Sequence, residues 1–149
     1  MSVNEPRPPA ITDAYEQVTI EAPRDEAALD LTDRVRPLLR RAVKPDGLIA
    51  LAVESPLCSL ALADDASGSL EDLLAVLEKI APKNEYYQSN LRTPAERGGA
   101  ARVRAALLPR TLLLPYRARR LVLPEGVMPM VIRHDPRQDG VLVISLMIY

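Results

Sequence analysis

The sequence predicts an α/β domain of packed sheets and helices, and three observations point there. Near-continuous apolar runs of strand length stand at 47–54 (GLIALAVE) and 57–63 (LCSLALA), the pattern of strands covered by other layers. Two segments, 31–43 and 69–81, space their apolar residues at the helical period instead. Past Pro109, four further apolar runs (TLLLPY, RRLVL, VMPMVIRH and GVLVISLMIY) follow at short intervals, as strands do. A chain of 149 residues that is 48% apolar has the size of one domain and can bury a core.

Taken in order, residues 1–13 are proline-rich without apolar periodicity, which predicts a disordered tail ahead of a domain over 14–149. AYEQVTIEA, 14–22, alternates as a first strand. In 31–43, Val35, Leu38, Leu39 and Val43 share a helix face behind Thr32 as the expected N-cap, with Pro37 one turn inside. KPDG then breaks the chain, and the runs 47–54 and 57–63 read as central strands. In 69–81, Leu70, Leu73, Leu74, Leu77 and Ile80 form one face behind Ser69 as cap, and Pro82 stops the helix. Residues 83–99 are polar and turn-rich, so they read as the longest loop; Thr93, Pro94 and Glu96 could open a capping box, against which Gly98 and Gly99 argue. AARVRAALL gives a short helix closed by Pro109, and the H-D-P-R-Q-D-G turn separates the last two strands.

Composition narrows the function. Nineteen basic against twenty acidic residues leave no overall field to attract nucleic acid or a membrane surface. The absence of Phe and Trp removes most stacking platforms for bases. No apolar run reaches membrane-spanning length and MSVNEPRPPA lacks the order of a secretory signal, so a cytoplasmic protein is expected. One Cys and one His cannot build a closed zinc site, and neither a metal nor a cofactor is expected.

The blocks LDLTDRVR, DGLIALAV, SLALADDASGSLEDLLAVLEKIAP, ALLPRTLLLPY and RRLVLPEGVMPMVIRHDPR, in that order, resemble the YjbQ-type family, the secondary thiamine-phosphate synthase-like proteins, from about residue 14 to the end. The resemblance implies an α/β domain with a β-sandwich-like core, a homotrimer, and a pocket near subunit contacts. It also implies a His-Thr-(Ser/Thr)-Ala turn, which here reads Ser55, Pro56, Leu57, Cys58, and an Asn-Glu pair, here Ala63, Asp64. The family's Tyr-x-His keeps Tyr87 but ends in Ser89, its Ala-His-x-(Lys/Arg) becomes Ala101, Arg102 and Arg104, and its Gly-Thr-Trp-Gln becomes Pro124, Glu125, Gly126, Val127. Three histidine positions are thus Ser55, Ser89 and Arg102. Neither a hydroxyl nor an always-charged guanidinium replaces a proton-exchanging imidazole unaided, so the ancestral chemistry reads as lost and the chain as a pseudoenzyme.

The remaining polar candidates each carry a plain structural reading. Cys58 lies in an apolar strand and reads as buried and inert rather than as a nucleophile. His134 reads as a solvated turn histidine beside Asp135 rather than a catalytic base, and Asp64 and Asp65 as turn or cap carboxylates rather than a cation site. Arg102, Arg104, Arg110, Arg117, Arg119 and Arg120 concentrate guanidinium forks around the elements that in the family surround the pocket. The two expectations set against each other are a structural or small-anion-binding homo-oligomer using Arg102, Arg104 and Tyr87, and an enzyme with altered chemistry around Cys58, Asp64 and His134.

Overall fold

The apolar alternation resolves into two antiparallel sheets in the computed structural model, which describes residues 15–23, 26–64, 66–93, 98–135 and 141–149. Along the chain run β1 (Tyr15–Glu21), β2 (Ala28–Asp30), α1 (Thr32–Arg40), β3 (Gly47–Val53), β4 (Cys58–Ala63), α2 (Ser69–Ile80), α3 (Gln88–Arg92), α4 (Gly99–Leu107), β5 (Thr111–Arg117), β6 (Arg120–Leu121), β7 (Met128–Arg133) and β8 (Val141–Ile148). The larger sheet has the order β1-β8-β3-β5-β6 and the smaller β2-β7-β4. None of the described helices is long and apolar enough to cross a membrane. The expected tail over 1–13, the capping-box residues Pro94 and Glu96 and most of the H-D-P-R-Q-D-G turn lie outside the described residues.

Strand period places the core. Ile49 and Leu51 of β3, Leu114 of β5 and Leu142, Ile144 and Leu146 of β8 point from the larger sheet into one apolar cluster. Cys58 and Leu60 of β4 and Val131 of β7 meet them from the smaller sheet, and Val35, Leu38 and Leu39 of α1 complete the cluster. The alternate residues of the smaller sheet, Ala61, Ala63, Met130 and Ile132, form a second cluster with Leu70 of α2. Helices therefore cover the outer face of the smaller sheet. The outer face of the larger sheet carries Tyr15, Leu48, Leu113 and Val141, all exposed.

The apolar runs 47–54 and 57–63 do not pair as neighbouring central strands. β3 is central in the larger sheet, whereas β4 is an edge of the smaller one. The segment after α4 covers that edge: Leu60 donates its N–H to Pro109 O at 2.7 Å, and Val53 of β3 donates to Arg110 O at 3.0 Å. Two adjacent carbonyls thus stitch one edge of the sandwich, while the two apolar clusters bury every β4 side chain but Leu62 and give the strand the composition of a central one.

Helix ends differ from expectation by one to three residues. Thr32 is the first helical residue rather than the cap, and Asp30 Oδ1 accepts both its N–H at 2.8 Å and its hydroxyl at 2.6 Å. The helix ends at Arg40, so Val43 falls out of phase and is exposed. Gly68, at φ 83°, turns the chain into α2, and Ser69 ties the preceding loop by donating its hydroxyl to Asp64 O at 2.8 Å. Leu70 and Leu77 are buried and Leu73 and Leu74 half-buried, but Ile80 in the last turn is exposed. The loop read over 83–99 contains α3, and β2 is too short to show a period.

The β5–β6 hairpin turns through Ala118 and Arg119 at φ 50° and 59°, a left-handed region that costs a residue with a Cβ about 1–2 kcal/mol. Neighbours hold it there: Ala118 N–H donates to Asp46 Oδ1 and Arg119 N–H to Pro45 O, each at 2.8 Å.

Candidate functional site

β4 separates the sequence-predicted site residues. Ser55 and Cys58 stand at its start and Asp64 just past its end, about 20 Å apart at the rise of an extended strand. Ser55 shapes the turn, its Oγ accepting the Leu57 N–H at 3.1 Å. Cys58 is fully buried on the face between the sheets, opposite Arg133 of β7, so its sulfur does not meet solvent. Asp64 Oδ1 accepts the N–H groups of Ala66 at 3.0 Å and Ser67 at 3.3 Å, as a turn carboxylate does. Its other oxygen lies against Gly126, where an added Cβ would stand 3.3 Å from Oδ2. The Asp64 and Gly126 blocks of the family pattern therefore meet at this end of the sheet. Asp65 lies outside the described residues.

Tyr87, Ser89, Arg102 and Arg104 belong to the helical layer. α4 begins under the Tyr87 side chain: a Cβ on Gly99 would stand 2.4 Å from Tyr87 Cβ, so only glycine allows the approach. Asn90 Oδ1 accepts the Gly99 N–H at 2.8 Å, and the Tyr87 hydroxyl donates to Pro82 O. The Ser89 carbonyl accepts from Thr93 N–H at 3.0 Å and from its hydroxyl at 2.8 Å. Arg102 is half-buried. Arg104 is buried and donates through Nε to Ala81 O at 2.8 Å and through Nη2 to Glu78, tying α4 to the end of α2. Desolvation pushes the Glu78 carboxyl up, but the hydrogen bond and charge of Arg104, with Lys83, outweigh it and hold it below the usual range.

The arginines split into two groups. Arg110 sits with the helical layer and donates to Pro56 O at 3.2 Å. Arg119 and Arg120 lie at the β5–β6 turn beside α1, where Arg119 donates to Ala42 O at 3.1 Å and Val43 O at 3.3 Å.

His134 is not a solvated turn residue: it is 7% exposed and continues the alternation of β7 on the face of Met130 and Ile132. Its Nε2 lies 3.0 Å from Ser59 Oγ, a residue that sequence reasoning passed over. Strand period carried the signal, since Ser59 shares a face with Ala61 and Ala63. The Ser59 hydroxyl donates to Ala105 O at 3.0 Å, so its single proton is spent and it accepts from His134 Nε2–H. Burial, helped by the Arg104 charge, lowers the His134 pKa from 6.5 to about 4. The imidazole is neutral at pH 7, and its hydrogen bond runs in the sense opposite to that of a base activating a serine. Cys58 lies on the other face of the sheet. Among the described residues no three His, Cys, Asp or Glu side chains gather as metal ligands.

A family model described as UPF0047 protein YjbQ-like matches residues 16–146. Among solved structures, a YbjQ-like protein of unknown function from Sulfolobus solfataricus is 18% identical, with 90% of this chain and 94% of that one covered and a TM-score of 0.79. A hypothetical protein from Aeropyrum pernix is 18% identical over 91% of this chain and 97% of its own, with a TM-score of 0.77. A conserved hypothetical protein from Thermus thermophilus is 23% identical over 90% of this chain and 99% of its own, with a TM-score of 0.73. Among curated proteins none matches the chain.

Proposed function

The chain belongs to the YjbQ-like UPF0047 family, and from that premise we propose that it is a catalytically silent member, acting as a small-anion-binding homo-oligomer. The observation that carries this reading is the loss of all three histidines at the positions implied by the family pattern. Ser55, Ser89 and Arg102 stand there, and the one histidine is a buried neutral donor to Ser59. An enzyme rebuilt from Cys58, Asp64 and His134 has their placement against it. Cys58 and His134 occupy opposite faces of the smaller sheet and Asp64 the far end of β4.

Within the family pocket, the anion is assigned to the charge of the half-buried Arg102, while Arg104 and Tyr87 tie the helical layer through Glu78, Ala81 and Pro82. Self-association is supported by the outer face of the larger sheet, where Tyr15, Leu48 and Leu113 lie uncovered by helices. The test of silence is an assay of the purified full-length protein for thiamine phosphate formation. No product above the buffer blank is expected. Sustained formation that Ser55→Ala abolishes would overturn the reading.

A further inference from the structure

A cleft of about 670 Å³ opens between α1 and the β5–β6 hairpin; Ser55, Ser89 and Arg102 do not line it, although Pro124 and Val127, from the block that matches the family's Gly-Thr-Trp-Gln, do. Arg36 and Arg40 reach it from α1 and Arg119 and Arg120 from the hairpin turn, and none of its lining residues is acidic. Leu39, Leu121 and Val127 line it with apolar surface. From this convergence we infer that the cleft is a second ligand site, for a small phosphate monoester whose apolar group rests on that surface.

Size and chemistry agree. The volume lies within the range of small-molecule sites, which are mostly apolar with a few converging polar groups. Guanidinium forks match phosphate oxygens in pairs. Arg36 has a counter-charge in Asp33 at 3.2 Å, but that pair is exposed and screened. Among the described residues, Arg40 and Arg120 have no side-chain partner. The turn that carries Arg119 and Arg120 is a second observation. Ala118 and Arg119 hold left-handed φ values in place of the usual asparagine and glycine, and Arg119 is pinned through its backbone N–H and its guanidinium. Strained residues of this kind cluster at ligand clamps, where the surrounding structure over-determines them.

Calorimetric titration of the full-length protein with phenyl phosphate tests the inference, with inorganic phosphate in parallel. Phenyl phosphate should saturate one site per chain, bind more tightly than inorganic phosphate and weaken with added salt. Arg40→Ala and Arg120→Ala, both at exposed positions, should melt as the parent does yet each weaken binding by roughly tenfold or more. Arg102→Ala should leave this binding unchanged. Failure to saturate, or parental affinity in both Arg40→Ala and Arg120→Ala, would refute the site. Loss in Arg102→Ala alone would move the anion to the family pocket, leaving the binding reading standing and this one wrong. Binding that appears only when sedimentation shows the oligomer dissociated would mean that a second copy fills the cleft, which also refutes it.

Discussion

His134 is a buried neutral imidazole, and that alone makes folding depend on pH. Its folded pKa of about 4 lies below the unfolded value near 6.5, so between the two the unfolded chain binds the proton first. The contribution is whole above about pH 6.5 and drains as the pH falls toward 4. Between about pH 7.5 and about pH 5 the loss should be about 2 kcal/mol. Glutamine at 134 keeps a donor toward Ser59 and does not titrate. Urea unfolding at both pH values should show His134→Gln with a pH dependence weaker by that amount; equal dependences would mean that the histidine takes up its proton as readily in the fold as in the unfolded chain. The placement of His134 was readable from the alternation of VIRH, but a neighbouring Asp-Pro turn outweighs one more strand residue in a local reading. Its bond to Ser59 spans 75 residues, a distance no local pattern reports.

Among the elements, α2 separates what period reveals from what it hides. Its leucine face was legible because apolar residues at helical spacing must pack somewhere. How far along the helix that packing extends depends on where the sheet beneath it ends. Leu77 is 4% exposed while Leu73 is only half-buried. Leu77→Ala should therefore cost about 2–5 kcal/mol in chemical unfolding, and Leu73→Ala about half as much. The reverse order would mean that α2 is rotated on the sheet. β4 was misjudged as central for a related reason: an edge strand buried between two apolar clusters has the composition of an interior one. The sequence also could not separate the arginines that fasten the fold from those that face solvent. Arg104 and Arg120 look alike in a chain, and only packing makes one a tie between helices and leaves the other exposed.

At the scale of the whole molecule, helices cover the smaller sheet and leave the outer face of the larger one bare, which bears on assembly. Leu113, at 59% exposure on β5, stands amid that surface, and Leu113→Glu puts a charge there without touching the core. If the proposed oligomer forms through this face, sedimentation velocity should show the variant folded and shifted toward monomer; an unchanged distribution would mean that this face makes no subunit contact. The paired carbonyls of Pro109 and Arg110 have a mechanical consequence. Because each holds a strand of a different sheet, the sandwich is hinged shut along that side. A separation of the layers there would expose two backbone amides in one event. Shear between the sheets at this seam would break both bonds together.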